Sequence, residues 1–176
     1  MLSNSRSAHQ PHNHLRCINA ALDRARDLCA QKNARLTPTR ERVLNLIWQS
    51  HQPLGAYQLQ EQLAKLSGKS IAPPTVYRAI EFLVNLGLVH RIPSLNAFIG
   101  CPFPNSAHSN LFMICQNCGS AAEATHSGLN DLLQSASNRA QFILKSQNLE
   151  LFGLCLQCNT ATTTNGEQVN HDYTND

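Results

Sequence analysis

Several absences narrow the reading of this 176-residue sequence before any motif is considered. It has no run of about 18 apolar residues, so no segment is expected to cross a membrane as a helix. The opening stretch, MLSNSRSAHQPHNH, lacks the apolar core of a secretory signal. The H-E-x-x-H pattern of zinc peptidases and the H-x-E…P-C-x-x-C pattern of deaminases are both missing. Basic residues nearly vanish from the second half. Residues 93–176 hold 2 Lys/Arg against 6 Asp/Glu, whereas residues 1–92 hold 12 against 5. A basic first half beside an acidic second half reads as a nucleic-acid-binding domain joined to something else, with ordinary solvated charge as the competing reading.

What the second half does have is cysteine. Cys115 and Cys118 form one C-x-x-C pair (CQNC), and Cys155 and Cys158 form another (CLQC), with 36 residues between them. A C-x-x-C turn lets two thiolates converge on one ion, and two such turns complete the tetrahedral coordination of a structural zinc. The spacer exceeds the 15–20 residues of a compact zinc ribbon, so the metal must close a larger loop. Two disulfides, or a chance recurrence of the spacing, are the alternatives. Seven cysteines without an export signal fit reduced thiols and a cytoplasmic protein, which favours metal.

Helical periodicity organises the first half. Residues 1–14, with His9, His12 and His14, read as a polar tail. Leu15, Ile18, Leu22, Ala25 and Cys29 recur at helical spacing and predict an amphipathic helix ending near Ala34; Cys17 and Cys29 read as structural or incidental. Thr37-Pro38 is a helix start, with Thr as N-cap and Pro at the first helical position. Val43, Leu44, Ile47 and Trp48 give that helix its apolar face. After Gln52-Pro53-Leu54-Gly55, a third helix places Leu59, Leu63 and Leu66 on one side and ends at Gly68. A fourth starts at Pro73-Pro74-Thr75, buries Val76, Ile80, Leu83 and Leu86, and ends at Gly87. Short strands over 88–92 and 97–100 flank Pro93-Ser94-Leu95-Asn96.

Short helices followed by a hairpin make a winged helix, in which the last helix enters the DNA major groove. Thr75, Tyr77 and Arg78 fall on its outward face. Beyond it, strands are expected over 111–115, 121–124, 141–144 and 149–154, with a helix over 129–140. Residues 160–176 hold little that could be buried and read as disordered. The expected class is α+β. A winged-helix DNA-binding domain (15–92) is followed by a hinge (93–104) and a small α/β dimerisation domain (105–159) carrying the four-cysteine site, with tails at 1–14 and 160–176.

A sparser set lies where the halves meet: His90, Cys101, His108 and Glu123. Two imidazoles, a thiolate and a carboxylate sum to a four-coordinate site, and the thiolate favours zinc over manganese or magnesium. Taken singly, each is as readily a core or surface residue.

Three segments carry a family resemblance: RLTPTRERVL (35–44), PPTVYRAIEFLVNLGLVHRI (73–92) and the ICQNCG…GLCLQC pattern. Together they resemble the ferric-uptake-regulator superfamily over about residues 15–159, and within it the zinc-sensing branch. The resemblance implies an N-terminal winged helix on DNA and a C-terminal domain that dimerises and binds metal. It implies a structural zinc on Cys115, Cys118, Cys155 and Cys158, and a sensing zinc on His90, Cys101, His108 and Glu123, hence two zincs per subunit. Arg78 matches a base-reading arginine and Tyr57 a DNA-contacting tyrosine. Arg35, Arg40, Arg42, Lys65 and Lys69 are candidates for phosphate contacts.

The sequence also departs from the iron-sensing pattern. Those members carry a His-rich segment before the first C-x-x-C, where this chain has HSNLFMIC with His108 alone. His51 and His126 match no ligand. The expected function is a zinc-responsive repressor that binds palindromic operator DNA as a homodimer and represses zinc-uptake genes, with no enzymatic activity, no small-molecule substrate and no membrane partner. The alternatives are an iron, manganese or peroxide sensor of the same superfamily, a zinc-stapled interaction module, or a zinc hydrolase using His90, Cys101 and His108 with Glu123 as general base.

Overall fold

A computed structural model describes residues 14–104, 110–126 and 128–164, with side chains through residue 160. Helix α1 (His14–Gln31) buries Ile18, Ala21, Ala25, Leu28 and Cys29, the 3–4 spacing of one helical face. Leu15, expected on that face, is exposed. Asn33 in the left-handed region (φ 50°) ends the helix, and the Ala34 N–H closes on the Cys29 carbonyl at 2.8 Å.

Helix α2 (Pro38–Trp48) starts at the expected place by a different device. Thr37 has the extended backbone of an N-cap, but its side chain makes no capping bond. The start rests on Pro38 and on the Glu41 N–H reaching the Thr37 carbonyl at 3.0 Å. Helix α3 (Ala56–Ser67) follows a two-residue strand β1 (Leu54–Gly55), where the sequence predicts only an interruption. It buries Leu59 and Leu63, leaves Leu66 exposed against expectation, and stops at Gly68 (φ 64°). Helix α4 (Pro73–Asn85) buries Val76, Ala79, Ile80 and Leu83 and turns off at Gly87 (φ 72°).

Strands β2 (Val89–Ile92) and β3 (Ala97–Gly100) form the wing, joined through a 3-10 turn at Pro93–Leu95. The sheet order is β1-β3-β2, all antiparallel. Strand β3 lies within the segment expected as a hinge, yet it is the central strand of this sheet. A single core cluster from α1 to α4 and the sheet, including Leu44, Ile47, Leu59, Val76, Leu83 and Val89, holds the winged unit together.

The second unit is a three-stranded sheet in the order β5-β4-β6. Strand β4 (Leu111–Cys115) pairs antiparallel with β5 (Ala121–Ala124) and parallel with β6 (Leu149–Gly153). A parallel neighbour requires a crossover, and α5 (Leu129–Arg139) lies in it. Residues 141–144 form no strand, although their apolar run suggested one. Helix α6 (Leu156–Thr164) extends into the expected disordered tail, which is a correction for residues 160–164. The remainder of that tail, like residues 1–13, lies outside the described residues.

The two units share apolar packing. Ile92 and Ile99 of the wing cluster with Phe112, Ile114 and Ala121 of the second sheet, and Phe112 is fully buried among them. Truncating such a phenylalanine typically costs about 3–5 kcal/mol, so the junction contributes materially to stability.

Candidate metal centres

The four-cysteine cluster forms where β4 and β6 end side by side. Parallel pairing puts Cys115 opposite Gly153, so both C-x-x-C segments leave the sheet at the same edge. The first turns through Gly119 (φ 70°), with the Gly119 N–H on the Cys115 carbonyl at 2.9 Å and the Cys115 N–H on the Ser120 carbonyl at 2.9 Å. The second opens α6, with the Asn159 N–H on the Cys155 carbonyl at 2.9 Å.

One sulfur from each of Cys115, Cys118, Cys155 and Cys158 lies within 4.8 Å of the others. The Cys118 and Cys155 sulfurs stand 3.9 Å apart, well beyond the roughly 2 Å of a disulfide, and all seven cysteines are free thiols. Burial opposes ionisation of Cys115, but N–H groups of Cys118, Cys155 and Asn117 hold its thiol down at about 6. The Cys155 N–H approaches its sulfur at 3.3 Å. Hydrogen bonding to Ser120 lowers Cys118, whereas the bond with Cys155 raises Cys158. Four adjacent thiols cannot all ionise without a cation between them. The donor set therefore fits zinc, whose charge would stabilise all four thiolates.

The second cluster draws on three strands. His90 comes from β2, Cys101 directly follows β3, and Glu123 is on β5. Their ligand atoms all lie within 4.8 Å of one another, and His90 Nε2 is 3.4 Å from Glu123 Oε1. The Glu123 side chain is wholly buried and that of His90 nearly so. Burial pushes Cys101 up to about 12, reinforced by the neighbouring Glu123 charge. It pushes Glu123 up to about 8, with the Cys101 hydrogen bond pulling the other way. A buried imidazole, thiol and carboxyl converging in this way fit a divalent cation better than they fit a core. His108, the fourth expected ligand, lies outside the described residues.

The expected DNA-facing residues are distributed more loosely. Thr75, Tyr77 and Arg78 are exposed on α4, on the side away from Val76, Ala79 and Ile80. Tyr57 is exposed at the start of α3. Arg35, Arg42 and Lys69 are exposed, and Lys65 pairs with Glu61 at 2.8 Å on the surface of α3. Arg40 is differently engaged. Its guanidinium lies 3.5 Å from the Phe82 ring centroid and donates to the Arg35 carbonyl at 2.6 Å, so it braces α2 against α4.

A profile for the family described as "Ferric uptake regulator family" matches residues 31–152. The chain belongs to the ferric uptake regulator family. The zinc uptake regulation protein of Escherichia coli (strain K12) is 34% identical over 154 residues, covering 86% of this chain and 90% of that protein. Among solved structures, a zinc uptake regulator complexed with zinc and DNA matches with a TM-score of 0.77 at 33% identity, over 83% of this chain and 97% of that one. The crystal structure of holo XcZur matches with a TM-score of 0.73 at 38% identity, over 81% of this chain and 99% of that one. Membership in this family accounts for a winged unit and a cysteine-clustered unit in one chain.

Periodicity gave no sign of two further residues at the junction. Gln52 donates to the carbonyl of Cys118, and the Trp48 indole packs against Gly100, the residue before Cys101. Gln52 sits in a loop without repeating pattern, and periodicity places Trp48 only on the apolar face of α2, so the sequence signals neither as a junction residue.

Proposed function

We propose that this protein is a zinc-responsive transcriptional repressor, a regulator and not an enzyme, which binds operator DNA as a dimer and represses zinc-uptake genes. The observation that carries the reading is the second cluster. It joins a thiol, an imidazole and a carboxyl across the junction of a winged helix and a cysteine-clustered unit. Similarity to zinc uptake regulators, one of them complexed with zinc and DNA, supports zinc as the metal and DNA as the partner.

The chemistry divides between two zincs per subunit. Cys115, Cys118, Cys155 and Cys158 hold a structural ion that ties β4, β6 and α6 together. His90, Cys101 and Glu123, with His108 as the fourth ligand, hold the regulatory one. His90 and Cys101 belong to the wing sheet and Glu123 to the second sheet, so common ligation restricts the angle between the halves. A restricted angle raises the population in which two recognition helices match two half-sites, a coupling of typically about 1–3 kcal/mol. In the metal-free state Cys101 and Glu123 keep their protons and the restriction lapses.

The surface of the second unit supports a dimer. Helix α5 buries no residue within the chain, and Leu132, Phe142, Ile143, Leu151 and Phe152 are exposed around it and β6. An apolar surface of this extent on a small domain suits a second copy. The hydrolase reading is weakened because Glu123 stands among the ligand atoms, where a general base would be held back from the metal.

Operator-DNA binding titrated against buffered free zinc tests the proposal. Affinity is expected to rise with zinc, and Arg78→Ala is expected to lower it by about 1–3 kcal/mol without changing zinc content. Zinc-independent DNA binding by the parent protein would sink the sensor reading.

A further inference from the structure

The end of α2 and the loop between α2 and β1 touch residues beside both clusters. At the end of α2, Trp48 lies against Gly100, so closely that a Cβ there would overlap the indole, and Cys101 is the next residue. Three residues on, the His51 carbonyl accepts the Ala121 N–H at 2.8 Å, two residues before Glu123. Gln52 then donates from Nε2 to the Cys118 carbonyl at 2.8 Å, across 66 positions of sequence. The segment from Trp48 to Gln52 therefore runs from the end of β3, next to Cys101, to the turn that carries Cys118.

On the far side of the junction, Ser94 of the wing turn hydrogen-bonds to Glu150 of β6. The shared apolar cluster lies with these two contacts at the junction. Apolar packing is non-directional and tolerates a change of angle, whereas a hydrogen bond to one carbonyl defines it.

We infer that Gln52 is a positioning residue. Its bond to the Cys118 carbonyl latches the DNA-binding unit onto the zinc knuckle and fixes the interdomain angle at which regulatory zinc favours DNA binding. This rests on the zinc-responsive reading above and deepens it. The four-cysteine centre becomes the fixed post against which the winged unit is set, in addition to being a fastener of its own domain. The match to the zinc- and DNA-complexed relative, with a TM-score of 0.77 over 83% of this chain, supports taking this arrangement as the DNA-competent one.

Gln52 is exposed and ligates nothing, so its replacement leaves both donor sets intact. Gln52→Glu keeps the size of the side chain but cannot donate to a carbonyl, whereas Gln52→Lys retains a donor. The test measures, for parent and both variants of the full chain, the ratio of operator affinity with and without regulatory zinc. Zinc content and the hydrogen exchange of the Ala121 amide are measured alongside.

In Gln52→Glu the ratio is expected to fall about threefold to tenfold, the share of one net hydrogen bond. The Ala121 amide should exchange faster and zinc content should stay at the parent value. Gln52→Lys is expected to recover part of the ratio. An unchanged ratio in Gln52→Glu overturns the inference, as does loss of the four-cysteine zinc, which would make Gln52 a metal-retention residue instead. Absence of any zinc-dependent DNA binding in the parent would overturn the sensor reading itself. In that event the Ala121 amide still decides whether Gln52 holds the two units together.

Discussion

The two metal centres are built on opposite principles. The four-cysteine centre is local: two C-x-x-C turns, each formed by its own backbone hydrogen bonds, meet because β4 and β6 run parallel and end together. Its thiol Cys115 is held low by backbone N–H groups and is already poised to ligate. The second centre is dispersed. His90, Cys101 and Glu123 come from three strands in two sheets, and burial holds Cys101 and Glu123 in their protonated forms. A site assembled by its own turns is expected to hold its metal more firmly than one assembled by domain packing, whose protons must be displaced. On the proposed reading, this contrast would let one chain carry a fastener and a sensor for the same ion.

Replacing Cys115 by Ser is the strongest way to break the comparison. Structural zinc sites contribute apparent free energies of about 10 kcal/mol or more. The variant is expected to lose its structural zinc together with dimer and fold integrity, seen by metal analysis, circular dichroism and sedimentation. Cys101→Ser should do the reverse, leaving a folded dimer with one zinc per subunit that no longer binds operator DNA in response to zinc. If both variants behave alike, the division of roles fails.

Acid should separate the centres next. Loading the second site requires loss of protons from Cys101, at about 12, and from Glu123, at about 8. The loaded state binds fewer protons than the free one, so affinity rises with pH. Below pH 8 both groups release a proton, a slope of about two decades per pH unit. Above it Glu123 is already ionised, and the slope falls to about one. Competition against a chelator of known pH dependence, at several pH values, would show this, and a flat profile would refute it.

A smaller effect is expected from Gly100→Ala. The added methyl meets the Trp48 indole, a crowding that typically costs about 1–3 kcal/mol. Since Gly100 precedes Cys101, zinc affinity at the second site should weaken while the four-cysteine zinc stays in place. Equal losses at both sites would mean that the wing strand and the knuckle respond as one rigid body.

Particular residues show how far the sequence could be read. The stripes Val43-Leu44-Ile47 and Val76-Ile80-Leu83 became buried helix faces, because helical periodicity is a local property that survives into the fold. Leu15 and Leu66 fit the same periodicity and are exposed. Strand β1 leaves no trace in the sequence because two residues have no period. Residues 141–144 looked like a strand, but apolar content does not supply a pairing partner. Arg40, a candidate for phosphate contact, lies against the Phe82 ring, which no linear pattern announces.

By itself, the sequence determined the two C-x-x-C pairs, the winged helix with Thr75, Tyr77 and Arg78 on its outer face, and the family pattern that ties them together. These are short-range features, set by turns and helical repeats within a few residues of chain. Tertiary structure alone decided that His90, Cys101 and Glu123 converge, and that Trp48 at the end of α2 and Gln52 in the loop after it reach residues beside the two clusters. Their separations in sequence carry no period, and their meeting depends on how the wing sheet packs against Phe112 and Ile114.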